Sequence, residues 1–148
     1  MQYIKGMQFY QNDKKTAITL GKFDGLHRGH ETLIERVIEH QKNDGVDSVV
    51  FAFDMAPLYE KIKKKKESLI TNEERAGRLF GRVDYLVECP FVEAVSKIEA
   101  ETFIKEILVK QFHAEYIVVG TDFHFGYQKK GDYHMLQQYS GEYGYEVE

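Results

Sequence analysis

Residues 21–30 read Gly-Lys-Phe-Asp-Gly-Leu-His-Arg-Gly-His, and no other segment restricts the fold of this chain as strongly. The apolar run 16–20 in front of it reads as a short buried strand. Residues 31–38 behind it carry apolar side chains at helical spacing, within a helix expected over 30–43. Three glycines and two histidines therefore fall where a strand ends and a helix begins. A helix N-terminus offers unpaired N–H groups and the positive end of a dipole, which suits a phosphate. Glycine lets the backbone approach a ligand closely. His27 and His30, three residues apart, can both donate hydrogen bonds to one phosphate group.

The rest of the chain keeps the alternation. Asp44-Gly45 breaks the first helix, and the continuous apolar run 48–53 suits a strand buried on both faces. Residues 54–70 read as irregular, with Pro57 and the lysine run Lys61, Lys63, Lys64, Lys65, Lys66. Thr71 and Glu74 form a capping box opening a helix to about residue 80. Residues 84–88 make a third strand. Ser96 and Glu99 look like a second box, with a helix to about residue 112. Residues 116–119 are a fourth strand, 120–131 a glycine-bearing loop, 132–143 a helix and 144–148 the start of a fifth strand. Such alternation predicts an α/β fold, a parallel sheet with helices on both faces. Ligands of such sheets bind beyond the C-terminal strand ends at the switch point. The loops after strands one, two and four hold the motif-like residues.

With 148 residues the chain suits one domain with its own core. A net charge of −4 argues against broad nucleic-acid binding. Cys89, the one cysteine, cannot form an internal disulfide, which favours a reducing cytoplasm. It reads as a small buried side chain rather than a nucleophile. The N-terminus lacks the apolar core of a signal peptide, and no apolar run approaches a membrane span. His40 and His113 fall in expected helices and read as solvated. His124 reads as exposed, and His134 opens the last helix. Cysteine and histidine show no zinc spacing. The lysine run reads as a solvated loop, and Asp24 suits a turn as well as any chemistry.

The ten-residue segment resembles the signature of the HIGH-type nucleotidyltransferases, and in its long form that of the FMN adenylyltransferase (FAD synthetase) module. In bacteria that module usually forms the front half of a bifunctional riboflavin kinase/FAD synthetase. Residues 118–132, Val-Val-Gly-Thr-Asp-Phe-His-Phe-Gly-Tyr-Gln-Lys-Lys-Gly-Asp, resemble its second signature. Residues 69–75, Pro90-Phe91 and 101–104 follow the family's course, so all of 1–148 is expected to be this one Rossmann-like domain.

The resemblance implies the reaction FMN + ATP giving FAD + pyrophosphate, with Mg²⁺ bridging phosphates and held mainly by substrate oxygens and water. It implies catalytic roles for His27 and His30 and a phosphate cradle at Gly29. Gly21, Phe23 and Gly25 would shape the ATP loop. Asp122 would recognise adenosine, and Lys129, beside Lys130, would reach phosphates. Phe53, Asp54, Phe123 and Phe125 are the flavin candidates, although for Phe123 and Phe125 each taken alone the core reading is the stronger one. The chain departs from the family in two places. Phe53-Asp54-Met55-Ala56-Pro57 stands where Phe-x-Pro-His-Pro is usual. The third signature, Ile-Ser-Ser-Thr-x-Ile-Arg, and a kinase domain are absent from the chain, which reads as a fragment of a longer protein. Two rival readings are a transferase for another phosphate acceptor and a non-catalytic nucleotide- or flavin-binding module.

Overall fold

Six parallel strands form one sheet: β1 (Gln2–Lys5), β2 (Thr16–Gly21), β3 (Asp47–Asp54), β4 (Tyr85–Pro90), β5 (Ala114–Val118) and β6 (Glu146–Val147), in the order β1-β4-β3-β2-β5-β6. The structure is a computed structural model and describes residues 1–23, 28–61 and 72–148. The described helices are α1 (Arg28–Asp44), α2 (Ala56–Lys61), α3 (Asn72–Leu79), α4 (Glu93–Ser96), α5 (Ala100–Thr102) and α6 (Tyr133–Tyr143). A π-helical stretch, Phe103–Gln111, continues directly from α5.

Alternation along β2 separates two cores. Ile18 and Leu20 face one side with Phe51, Val87, Phe103, Leu108 and Leu136. Ala17 faces the other with Val50, Leu86 and the α1 and α3 residues Ile34, Val37, Ala76 and Leu79. Helices thus cover both faces, as the alternation predicted. From β2 the chain moves through β3 to β4, then returns to the far side of β2 as β5. The switch point lies at the C-terminal end of β2, where open parallel sheets bind ligands.

Three expectations change. Residues 2–5 form an edge strand, β1, paired in register with β4, so the expected fifth strand is the sixth. Residues 56–61, expected as irregular, open a helix with Pro57 in its first turn, where a missing N–H costs nothing. Ser96 is the last residue of α4 rather than a cap. Its hydroxyl donates to the Glu93 carbonyl, and Glu99 takes the N-cap position of α5. The Thr71 box lies outside the described residues.

Two histidines also differ from expectation. His113 sits in the link to β5 with φ 52°, not in a helix. His40 is buried, at 5% exposure, and stacks on Tyr116 with ring centroids 3.7 Å apart. Its Nδ1 lies 2.7 Å from the Asp44 carboxylate and its Nε2 2.8 Å from Glu148. Glu148 also accepts from Arg36, and its backbone pairs with Ile117 and Val119. The α1 side chains thereby hold the last strand on the sheet. Burial raises the Glu148 carboxyl, but hydrogen bonds from Arg36 and His40 outweigh it and hold the group below its usual range.

Cys89 is 1% exposed, and burial pushes its thiol up to about 11. The native protein is therefore expected to resist iodoacetamide at pH 8 and to react once unfolded. Labelling of the native protein at the unfolded rate would contradict this burial.

Candidate active site

The first loop begins where β2 ends. At Gly21 a Cβ would lie 3.1 Å from the Phe23 ring, so the missing side chain lets the ring fold back over the strand. Phe23 is fully buried and has φ 51°, a left-handed backbone that a phenylalanine adopts only at a cost. Its ring packs 5.0 Å from that of His30, which is half-buried in the first turn of α1. Exposed Gly29 precedes it. Glu31, the next residue, accepts two hydrogen bonds from the Arg82 guanidinium, at 3.2 and 2.7 Å. Those bonds hold the Glu31 carboxyl below its usual range and fix the opening turn of α1 against the link before β4. Gly21, Phe23, Gly29 and His30 thus meet at the switch point. Asp24, Gly25 and His27 lie outside the described residues.

The second loop leaves β5, which pairs with β2 up to Thr19 and Val118, so both loops start side by side. Phe123 donates its N–H to the Gly120 carbonyl and closes a turn that leaves Asp122 exposed. Phe125 and Gly131 exchange two backbone hydrogen bonds, at 3.0 and 2.8 Å, which close the neck of the loop. Inside the neck, Tyr127 donates to the Ile98 carbonyl at 2.8 Å, tying the tip to the entry of α5. Lys129 is exposed with φ 56°. Asp132 caps α6, its Oδ1 accepting the Met135 N–H at 2.9 Å. The sequence pattern Gly131-Asp132 therefore works as a neck and a cap.

Of the flavin candidates, Phe53 and Phe125 are core residues, at 8% and 4% exposure. Phe123 is half-buried, with its ring 5.8 Å from Phe125 and 6.4 Å from Phe53. Asp54 is half-buried and accepts the Ala56 N–H, which steadies the start of α2. The aromatic floor therefore joins the loops after β3 and β5, with Phe123 retaining accessible surface.

Sequence reading placed Arg75 in a family segment but gave it no role. It is 2% exposed on α3 and donates to the carbonyls of Lys22 and Phe23, at 3.0 and 3.2 Å, and to Glu88 at 3.0 Å. Glu88 is as deeply buried and accepts the Tyr3 hydroxyl at 2.7 Å. Burial first, and Glu88 second, push the Tyr3 phenol above its ordinary value. An arginine on the buried face of a short helix was the only available signal, and it names no partner.

A family model described as FAD synthetase matches residues 9–148. The bifunctional riboflavin kinase/FMN adenylyltransferase of Escherichia coli (strain K12) is 31% identical over 133 residues, 88% of this chain and 42% of that protein. The protein of the same name from Buchnera aphidicola subsp. Schizaphis graminum is 28% identical over 99% of this chain and 48% of its own length. That from Pseudomonas fluorescens is 29% identical over 100% of this chain and 48% of its own. The chain thus spans about half the length of these curated relatives. A solved structure from Streptococcus pneumoniae, described as a macrolide-efflux protein, superposes with a TM-score of 0.78 at 26% identity, over 99% of this chain and 48% of that one. No helix among the described residues here is long and apolar enough to cross a membrane. Sequence motifs, sheet order and these matches agree: the chain belongs to the FAD synthetase family.

Proposed function

We propose that this chain is the FMN adenylyltransferase module of a longer protein that also carries a riboflavin kinase domain, and that it works in the cytoplasm. The observation that supports this most is the Phe23–His30 turn at the switch point, beside the Asp122 loop. In the reaction a phosphate oxygen of FMN attacks the α-phosphorus of ATP. The new P–O bond makes FAD, and the bond to pyrophosphate breaks. A phosphate monoester is already a nucleophile, so the protein's task is to align two polyanions and to stabilise charge on the α-phosphoryl oxygens and the leaving group. His30, with His27, donates to those oxygens, and the N–H groups opening α1 at Gly29 cradle phosphate. Asp122 recognises adenosine, Lys129 attracts the phosphates, and Phe123 with Asp54 meets the flavin. Mg²⁺ would come as part of the ATP substrate, held mainly by substrate oxygens and water. Among the described residues, no three His, Cys, Asp or Glu side chains gather where they would hold a metal.

The test is pyrophosphate release from ATP and FMN, run on this chain and on the full-length protein, with phosphopantetheine, glycerol phosphate and nicotinamide mononucleotide as alternative acceptors. FAD formation by the full-length protein is expected. Preference for another acceptor would reassign the substrate, and ATP binding without pyrophosphate release would make this a binding module.

A further inference from the structure

We propose that Arg75 is a positioning residue for the phosphate loop, acting through the backbone of Lys22 and Phe23; the inference rests on the loop's phosphate-binding role above. The two carbonyls it binds belong to consecutive residues, Lys22 and Phe23, directly after β2. Successive carbonyls in a strand point in opposite directions, so one guanidinium nitrogen meets both only where the chain bends. The bend is the left-handed Phe23. Such a backbone conformation is strained for a residue with a side chain and persists only where its surroundings impose it.

Three contacts impose it here. The Phe23 ring is fully buried, it packs on His30, and its carbonyl is held by Arg75. Arg75 is in turn fixed by Glu88 from β4, and Glu88 by Tyr3 from β1. The chain of contacts runs from the sheet edge to the phosphate loop. A lysine in this place has one compact ammonium group instead of a planar fork, so it cannot serve the two carbonyls and Glu88 with the same geometry. The pair is also a poor device for stability alone. Burying an arginine and a glutamate costs desolvation that a matched apolar pair avoids.

The experiment compares the full-length protein with the double variant Arg75→Met/Glu88→Met, which removes both charges together and leaves no buried ion alone. Three quantities are measured: amide hydrogen exchange of residues 20–33, ATP affinity, and the affinity of adenosine, which has no phosphate. In the double variant, exchange of 20–33 is expected to accelerate and ATP affinity to fall about tenfold or more, since small displacements of positioning groups have effects of that order. Adenosine affinity should stay unchanged, which a general loss of structure would not allow. Arg75→Lys keeps a charge for Glu88 and is expected to show the same effects more weakly; it decides the matter if the double variant does not fold. Unchanged exchange and unchanged ATP affinity in a folded variant would overturn the proposal. If wild type binds ATP but makes no FAD, the enzymatic reading fails, while exchange and the two affinities still decide the role of Arg75.

Discussion

His30→Ala in the full-length protein is expected to lower FAD formation about a hundredfold or more while leaving the fold intact. The size follows from the chemistry. Charge develops on phosphoryl oxygens, and a preorganised donor aimed at such charge typically contributes about 10²–10³ in turnover. On the proposed role, the imidazole of His30 is such a donor. It sits in the first turn of a 17-residue helix, its ring rests against buried Phe23, and its neighbour Glu31 is held by Arg82. The same variant should cost little stability, because the residue is only half-buried and alanine is the better helix former. Turnover, thermal midpoint and ATP affinity measured together separate the effects. A fall in turnover at nearly constant midpoint and affinity places the donor at the transition state. Turnover within about threefold of wild type would remove His30 from the catalytic step.

The elements that sequence predicted best are those whose signal lies within the segment itself. Apolar runs gave β2, β3, β4 and β5, and the glycine-histidine segment gave the start of α1 because strand, turn and helix follow one another directly. Two of the errors share a physical cause, a partner far along the chain. β1 has four residues, half of them exposed, and becomes a strand only through pairing with β4, with Gln2 opposite Tyr85. His40 looked solvated because its partner Glu148 lies 108 residues along the chain. Ser96 has the composition of a cap, yet helix α4 ends on it, and its hydroxyl turns back to Glu93. At the site, Gly21, Phe23, Gly29 and His30 were legible as a motif and Asp122 as a loop residue. What sequence could not supply was the reason the turn keeps its shape. Arg75 reaches it from α3, 52 and 53 residues away, and a hydrogen bond to a carbonyl leaves no mark on the residue that accepts it.

Gly126→Ala is expected to destabilise the protein by about 3 kcal/mol, through two effects that a second glycine separates. Gly126 has φ 81°, and a Cβ there would lie 2.6 Å from the Cα of Ala100 and 2.8 Å from its nitrogen. Both of those are backbone atoms at the buried start of α5, so no side-chain rotation relieves the clash. Gly144, after α6, has nearly the same backbone, φ 76°, and a Cβ there would meet nothing within 4 Å. Gly144→Ala therefore carries only the backbone cost, about 1 kcal/mol. The difference between the two variants isolates the contact with Ala100. For a chain of this size each kcal/mol lowers the thermal midpoint by roughly 2–4 °C, so Gly126→Ala should melt roughly 6–12 °C below wild type. The same clash pulls Tyr127 from the Ile98 carbonyl and loosens the Phe125–Gly131 neck that follows the Asp122 turn, so on the role proposed for Asp122 adenosine should bind the surviving folded fraction more weakly. Equal losses at the two glycines would mean that α5 moves aside freely and that the neck of the second loop is not braced against it.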